Sequence, residues 1–497
     1  MALSLQVNRP IARSFFVDQI VPENVLVTGN FNVLHAGHIR LLEFAKKCGK
    51  RLVVGVNSDS VAGGAVQVDQ NSRMRTVQSI GCVDQVVLNE GGIGTLIENI
   101  RPDVVVKGKE YEFRENEELK TLQTYGGKLV FSSGEVGFSF TEDKPNQFML
   151  GEKLKSKIHE FMARHKFGNA KMVNVIKKFA QKRVCVIGDL IVDEYIDCFP
   201  LGLSEEDPTI VVTPTNRKRY IGGAGIVASH AAGLGANVKF ISVSGQDNTR
   251  DFAVKCLEEN DVDLKFLIDS NRQTSLKQRY RSNGKTLLRV SNLTQKSISL
   301  QQQRIIYDEV LKSLGELDVL IFSDFSYGAL PQAMVKKILN KARFYPNLVI
   351  AADSQSSSQT GDIKRFEGMN LITPTEKEAR LSLRNQEDGL VVLADQLLRT
   401  AEAENILLKL GGEGVILHTR NPRKGEIFTD RINALNLNPI DVSGAGDSML
   451  ISSTLALSCG ANIWVSGLIG SLAAALQVSR VGNIPLKKEE LLKAIPK

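Results

Sequence analysis

The sequence predicts an α/β protein built from two doubly wound, Rossmann-like domains. Three observations predict it. Between Asn24 and Ser133 short β-branched runs alternate with helix-forming stretches. A second alternation of the same kind begins at "RVCVIGDLIVDEY" and continues to the C-terminus. A charged stretch poor in strand formers separates the two, and 497 residues are too many for one ordinary core.

Residues 1–21 form an N-terminal extension whose "MALSLQVNRPIARSFFVDQI" has neither the apolar core nor the cleavage site of a signal peptide. Residues 22–141 make the first domain. Its strand candidates are "NVLVTG", "RLVVGVNSD", "DQVVLNE", "PDVVVKG" and "GKLVFSS". Between them, "HIRLLEFAKKCG", "NSRMRTVQSIG", "IGTLIENI" and "RENEELKTLQTYGG" read as helices. Alternation at this spacing predicts a parallel sheet. Ligands in such sheets bind beyond the carboxyl ends of the strands.

Residues 142–169 read as a basic helical linker. Eleven Lys/Arg against four Asp/Glu between Glu142 and Arg183 account for the whole net charge of +7. A solvated helix explains that charge, with a docking surface for an acidic partner as the alternative, and no nucleic-acid partner is expected. Residues 170–497 make the second domain, with strand candidates "ANVKFISVSG", "LDVLIFSD", "NLVIAAD", "NLITP", "NILLKLG" and "GVILHT". Within it "SLKQRYRSNGKTLLRVS" alternates apolar and polar residues around Asn-Gly, the pattern of a tight hairpin, and predicts a small antiparallel β flap.

Composition excludes several classes. Apolar residues are 42% and charged residues 24%, the profile of a soluble globular protein, and no run reaches eighteen apolar residues. The cysteines at 48, 82, 185, 198, 256 and 459 form no CxxC pair, which predicts reduced thiols, no zinc site and a cytoplasmic protein.

"GNFNVLHAGH", Gly29 to His38, follows the first strand and holds two of the six histidines. Gly29 permits a close turn, and a helix starting near Gly37 offers free N–H groups to a phosphate. His35 and His38 would face that pocket and stabilise charge on a pentacoordinate phosphorus and its pyrophosphate leaving group. No carboxylate or third histidine nearby completes a metal site.

These residues resemble the HxGH motif of the cytidylyltransferase-like nucleotidyltransferases over about 110 residues, together with "VNSD", "NSRM" and "VVVKGKEY". The resemblance implies that His35 and His38 act on nucleotide phosphates and that Gly29, Asn30 and Phe31 lie against the nucleotide. It implies that Lys46 or Lys47 binds substrate phosphate and that Arg73 and Lys107 help hold nucleotide and sugar phosphate. Ser139 and Thr141 of "GFSFTEDK" stand where the family has its late nucleotide motif. Asn32 replaces the usual aspartate.

"DVSGAGDSM", Asp441 to Met449, carries the second chemistry. Gly444, Ala445 and Gly446 allow a tight turn that aims backbone N–H groups at a transferring phosphoryl group. Asp447, at the start of the small-residue helix that follows, could accept a proton from a substrate hydroxyl.

This segment resembles the ribokinase, or PfkB, family of sugar kinases over roughly residues 170 to 497. The resemblance implies that Asp189 and Asp193 bind sugar hydroxyls and that Gly222 and Gly223 let the sugar approach the backbone. It places Arg289 on the flap, Glu378 near magnesium and phosphate, and Lys409 and Gly412 on the nucleotide side. Ile226 replaces an asparagine, Thr375 the first residue of Asn-x-x-Glu, and Tyr327 a lysine. Two of these changes predict an altered sugar pocket, so that the substrate differs from the usual heptose phosphate or this half is impaired.

Both motif sets occur together in bifunctional heptose 7-phosphate kinase/heptose 1-phosphate adenylyltransferases, which usually carry the kinase first; here the order is reversed. The resemblance implies ATP as substrate, Mg2+ as cofactor, sugar phosphates as the other small-molecule substrates, no membrane partner, and leaves a homo-oligomer open. Alternatives are one live domain beside a scaffold, a nucleotidyltransferase for another polyol phosphate, and a non-catalytic sugar or nucleotide sensor. ATP and CTP are not distinguished.

Overall fold

The computed structural model describes residues 22–132 and 150–496, apart from 33, 35, 64, 65, 67, 109–115, 151, 205, 206, 208, 283, 284, 356–361 and 421–427. The chain divides into two compact units, Met1–Gly137 with Pro200–Thr213, and Phe138–Phe199 with Pro214–Lys497.

The first unit is built on β1 (Asn24–Gly29), β2 (Arg51–Asn57), β3 (Gln85–Asn89), β4 (Val104–Gly108) and β5 (Lys128–Ser132). They form one parallel sheet in the order β3-β2-β1-β4-β5. Strand order reverses between β1 and β4, and in open sheets of this kind ligands bind beyond the carboxyl ends of the strands at such a point. Alternate residues of each strand serve opposite faces. Val25 and Val27 of β1 join one core with Leu42, Ala45 and Val77, while Leu26 joins another with Leu96, Ile97 and Leu122.

The second unit has two sheets. β6 (Arg183–Gly188), β9 (Asn237–Ser244), β10 (Val262–Ile268), β13 (Val319–Asp324), β14 (Val349–Ser354), β15 (Leu371–Ile372), β16 (Asn405–Lys409), β17 (Val415–Thr419) and β18 (Thr429–Ile432) make the larger one. Its order is β10-β9-β6-β13-β14-β15-β16-β17-β18, parallel except for the pairs made by β17. Val184 and Val186 of β6 enter the core on one side, and Cys185 and Ile187 the core on the other.

The smaller sheet, β12-β11-β7-β8, joins β7 (Leu190–Leu203), β8 (Ile210–Gly223), β11 (Ser275–Ser282) and β12 (Lys285–Asn292), of which the β7 and β8 residues between Pro200 and Thr213 are grouped with the first unit. The expected Asn-Gly hairpin is its β11–β12 half, and β7 adds to β11 in parallel. The sequence expectation of a small antiparallel flap therefore captures only part of this sheet. β8 is an edge strand mostly exposed from Ile210 to Arg219 and contains Pro214, so no apolar alternation marks it.

The stretch expected as a solvated linker differs in its described part. The helix Glu152–Arg164 buries Ile158, Phe161 and Met162 in the core of the second unit, at helical i, i+3, i+4 spacing. His165 stacks on Trp464 with ring centroids 4.1 Å apart and bonds Asp430 at 2.8 Å. Trp464 is fully buried, as expected of a packing residue.

Candidate functional site

A cavity of about 440 Å3 in the second unit is lined by Asp447, Lys409, Glu378, Asp193, Lys277 and Arg279, among others. The glycine turn forms its floor. Asp441 builds that turn: its Oδ1 accepts from Ser443 N at 3.0 Å, and its Oδ2 accepts from Gly482 N at 2.9 Å and the Tyr195 hydroxyl at 2.7 Å. Gly444 has φ +74°, and a Cβ there would lie 2.5 Å from Asn483 Oδ1, so only glycine fits. Gly444 caps the helix Ala445–Ser458, which places Asp447 in its first turn. Gly444, Ala445, Gly446 and Gly412 all line the cavity.

Asp447 is buried, and burial, reinforced by Asp353, pushes its carboxyl up to about 7. A carboxyl poised there is suited to proton transfer near neutral pH. Lys409 ends β16 and reaches both oxygens of Asp353, at 3.0 and 3.1 Å. Burial alone would lower the Lys409 ammonium, but Asp353 and Glu378 outweigh it and hold it above its ordinary value.

At the other end Asp193 pairs with Arg279 and accepts from Asn483 Nδ2 at 3.1 Å. β7 and β11 run side by side with Asp193 opposite Lys277. The Lys277 ammonium lies 5.1 and 5.2 Å from the Phe325 and Tyr327 ring centroids. A Cβ on Gly222 would collide with the Asp193 carboxylate, and Gly223 has φ +56°, so this glycine pair lets the carboxylate sit against the backbone.

Several expected site residues serve other purposes. Asp189 does not line the cavity: its carboxylate accepts from Phe325 N, Tyr327 N and Ala329 N at 2.8, 3.2 and 3.1 Å. It anchors the loop Phe325–Ala329, and burial, with Asp324 nearby, raises it to about 6. Arg289 is exposed on β12, one strand further from the cavity than β11. Ile226 is fully buried in the hydrophobic core and does not line the cavity. Tyr327 is buried with Ile191 and Phe325. Thr375 does what a helix start needs: with Glu378 it forms a reciprocal capping box.

Magnesium is implied by the kinase resemblance. Among the described residues no group of three or more His, Cys, Asp or Glu could hold a metal ion by itself. Glu378 is a cavity carboxylate, one of whose oxygens accepts from Thr375 N at 2.7 Å. One carboxylate together with nucleotide phosphates is a usual magnesium arrangement, so the residues fit an ion that arrives with ATP.

In the first unit Gly29 ends β1, Phe31 is buried at φ +50°, and the Phe31 ring lies 5.2 Å from that of His38. His38 sits in the first turn of the helix Ala36–Lys47, as expected. His35, Ser139 and Thr141 lie outside the described residues. An amide chain crosses the strand ends: Asn89 Nδ2 donates to Asn57 Oδ1, and Asn57 Nδ2 to Asn30 Oδ1, each at 2.7 Å. Arg73 is buried. Its guanidinium donates to the carbonyls of Val68, Asn30 and Asn57, each at 2.7 Å, and pairs with Asp59. Lys107 bonds Glu118 at 2.6 Å. Lys46 is carried by its helix to the opposite end of the sheet, where it meets Asp84 beside the start of β2, and Lys47 is exposed.

Residues 181–489 match the model of the pfkB family carbohydrate kinases. The chain belongs to that family. Residues 26–147 match the cytidylyltransferase-like model, so the nucleotidyltransferase-like match precedes the kinase match. Bifunctional protein HldE of Citrifermentans bemidjiense is 27% identical over 314 residues, 62% of each chain. Bifunctional protein HldE of Koribacter versatilis is 29% identical over 333 residues, 66% of each chain. The chain thus spans 62–66% of the length of these curated relatives.

Phosphofructokinase-2 of Escherichia coli shares the kinase fold at TM-score 0.51 and 16% identity, covering 63% of this chain and 98% of its own. Ribokinase of Thermotoga maritima does so at 0.50 and 19%, covering 64% and 100%. Sequence reasoning missed Lys277 and Arg279 and gave no role to Asp353 or Asp441. Alternation along β11 was the available signal for the first two, since residues two apart share a face. Among the described residues no helix is long and apolar enough to cross a membrane.

Proposed function

We propose that this pfkB family member is a cytoplasmic, bifunctional transferase that makes a nucleotide-activated sugar. The second unit phosphorylates a sugar of the heptose 7-phosphate class with ATP. The first unit transfers adenylyl from ATP to the resulting sugar 1-phosphate and releases pyrophosphate. The observation that carries the reading is Asp447: buried, raised to about 7, and set at a glycine-capped helix start in a cavity.

In the kinase step Asp447 takes the proton of the acceptor hydroxyl as its oxygen bonds the γ-phosphorus. The bond from that phosphorus to ADP breaks, and its electron pair stays on ADP. N–H groups of the glycine turn meet the phosphoryl oxygens. Magnesium would add neutralising charge when bound with ATP, with Glu378 as its carboxylate. Asp193 orients the acceptor, and Lys277 with Arg279 supplies positive charge for a phosphate already on the sugar.

A second reading, a live kinase beside a scaffold, has support from one observation. Arg73 is wholly engaged by backbone carbonyls and Asp59, and Lys46 lies at the wrong end of the sheet for a phosphate. Purified chain offered sugars and sugar 1-phosphates with ATP or CTP separates the readings when ADP and pyrophosphate are measured apart. The bifunctional reading expects both products, with pyrophosphate abolished by His38→Ala. ADP alone would favour the kinase-only reading. Neither product with any acceptor would sink both.

A further inference from the structure

We propose that Lys409 is a catalytic residue of phosphoryl transfer, its ammonium meeting the γ-phosphoryl group of ATP as that group passes to the acceptor. The inference rests on the kinase reading above and adds a residue to it. Lys409 lines the cavity, whereas its partner Asp353 is buried behind it on β14. The two bonds to Asp353 hold the ammonium in one place. An ammonium has three donors, so one remains after that pairing.

The glycine turn shows where it sits. A Cβ added to Gly446 would lie 3.0 Å from Lys409 Nζ, so the ammonium rests directly against the turn with no side chain between. Gly446 belongs to the first turn of the helix Ala445–Ser458, which lines the cavity and whose first backbone N–H groups have no partner within the helix. An ammonium and a helix N-terminus converge beside the carboxyl of Asp447, and the ligand complementary to that pair is an anion. Asp447 makes the anion one that is attacked there.

The step balances without any further reactant. The acceptor oxygen bonds the γ-phosphorus, the bond to the β-phosphate oxygen breaks with its electrons on ADP, and the hydroxyl proton moves to Asp447. Negative charge on the transferring oxygens is then shared between the turn and Lys409. Asp353 is a positioning residue in this scheme, acting through Lys409.

The test uses the full chain and compares ATP with ADP, which lacks the γ-phosphoryl group. Calorimetry on Lys409→Met should show ATP binding weakened by about 10–100-fold with ADP binding unchanged. ADP formation should fall by about 10²–10³-fold, and Lys409→Arg should recover part of both. Gly446→Ala keeps the charge but places a methyl against the ammonium, and should also weaken ATP more than ADP. Equal loss of ATP and ADP, or no loss of either, would overturn the inference. Wild-type chain that binds ATP yet phosphorylates no acceptor would instead remove the kinase reading and with it the catalytic role, and the ATP-to-ADP difference would then decide only whether Lys409 meets the γ-phosphoryl group.

Discussion

The Tyr195 hydroxyl donates to Asp441 at 2.7 Å, tying β7 of the smaller sheet to the loop that forms the glycine turn. The same hydroxyl is 3.0 Å from Ser443 Oγ. Burial and the Asp441 charge both raise the Tyr195 phenol, so it stays protonated and donates across the working pH range. The hydroxyl therefore links the smaller sheet to the glycine turn, alongside the bond from Asn483 to Asp193.

Tyr195→Phe removes that donor and little else. Stability should fall by about 0.5–1.5 kcal/mol. ADP formation should fall as well, because the turn is no longer fixed from above. Thermal unfolding and a steady-state assay check this, and unchanged values in both would show that Gly482 and Ser443 suffice to hold Asp441.

Kinase activity should rise with pH through about 7, where Asp447 loses its proton. The sign follows from its role: protonated below that pH it cannot accept the hydroxyl proton, and ionised above it can. Asp447→Asn should remove the activity by about 10²–10⁴-fold at every pH. A kcat/KM profile flat from pH 5 to 9, about two units each side of the expected midpoint, would refute a titrating base.

Arg73→Ala should unfold the first unit more readily instead of merely weakening nucleotide binding. It strands three carbonyls and the Asp59 carboxylate at once. Asp59 is 43% exposed, so the cost lies mainly in the buried carbonyls, at about 1–3 kcal/mol for each left unpaired. Calorimetric melting of the variant reads this; a normal melt with lost ATP binding would return Arg73 to the nucleotide site.

The glycine turn and the Rossmann-like sheet were legible because their causes are local. Gly444 must be glycine for a positive φ, and β1 is apolar on both faces because both are covered. Asp189 and Asp193 look equivalent in sequence, four residues apart. Only their surroundings separate them: the loop Phe325–Ala329 consumes one carboxylate, and Gly222 opens space beside the other.

Ile226 misled for a related reason. It follows the glycine pair closely, but the helix Ala224–Gly233 is buried all round, so adjacency in sequence did not mean adjacency to the cavity. Thr375 is a departure with a local cause, since threonine caps its helix well. Lys277 and Arg279 became visible only when β11 was laid beside β7, a pairing across more than eighty residues that no short motif encodes.

The long reach of the second unit's contacts bears on how the chain is made. His165 waits for Asp430, 265 residues later, and Asp193 for Asn483, 290 later. The sheet of β1 to β5, by contrast, is complete once Ser132 has been added. On the ribosome the first sheet can close early, whereas Phe161, Met162 and their neighbours stay uncovered until Trp464 emerges. At about 5–20 residues per second that exposure lasts some tens of seconds, long enough for a chaperone to hold the nascent kinase half.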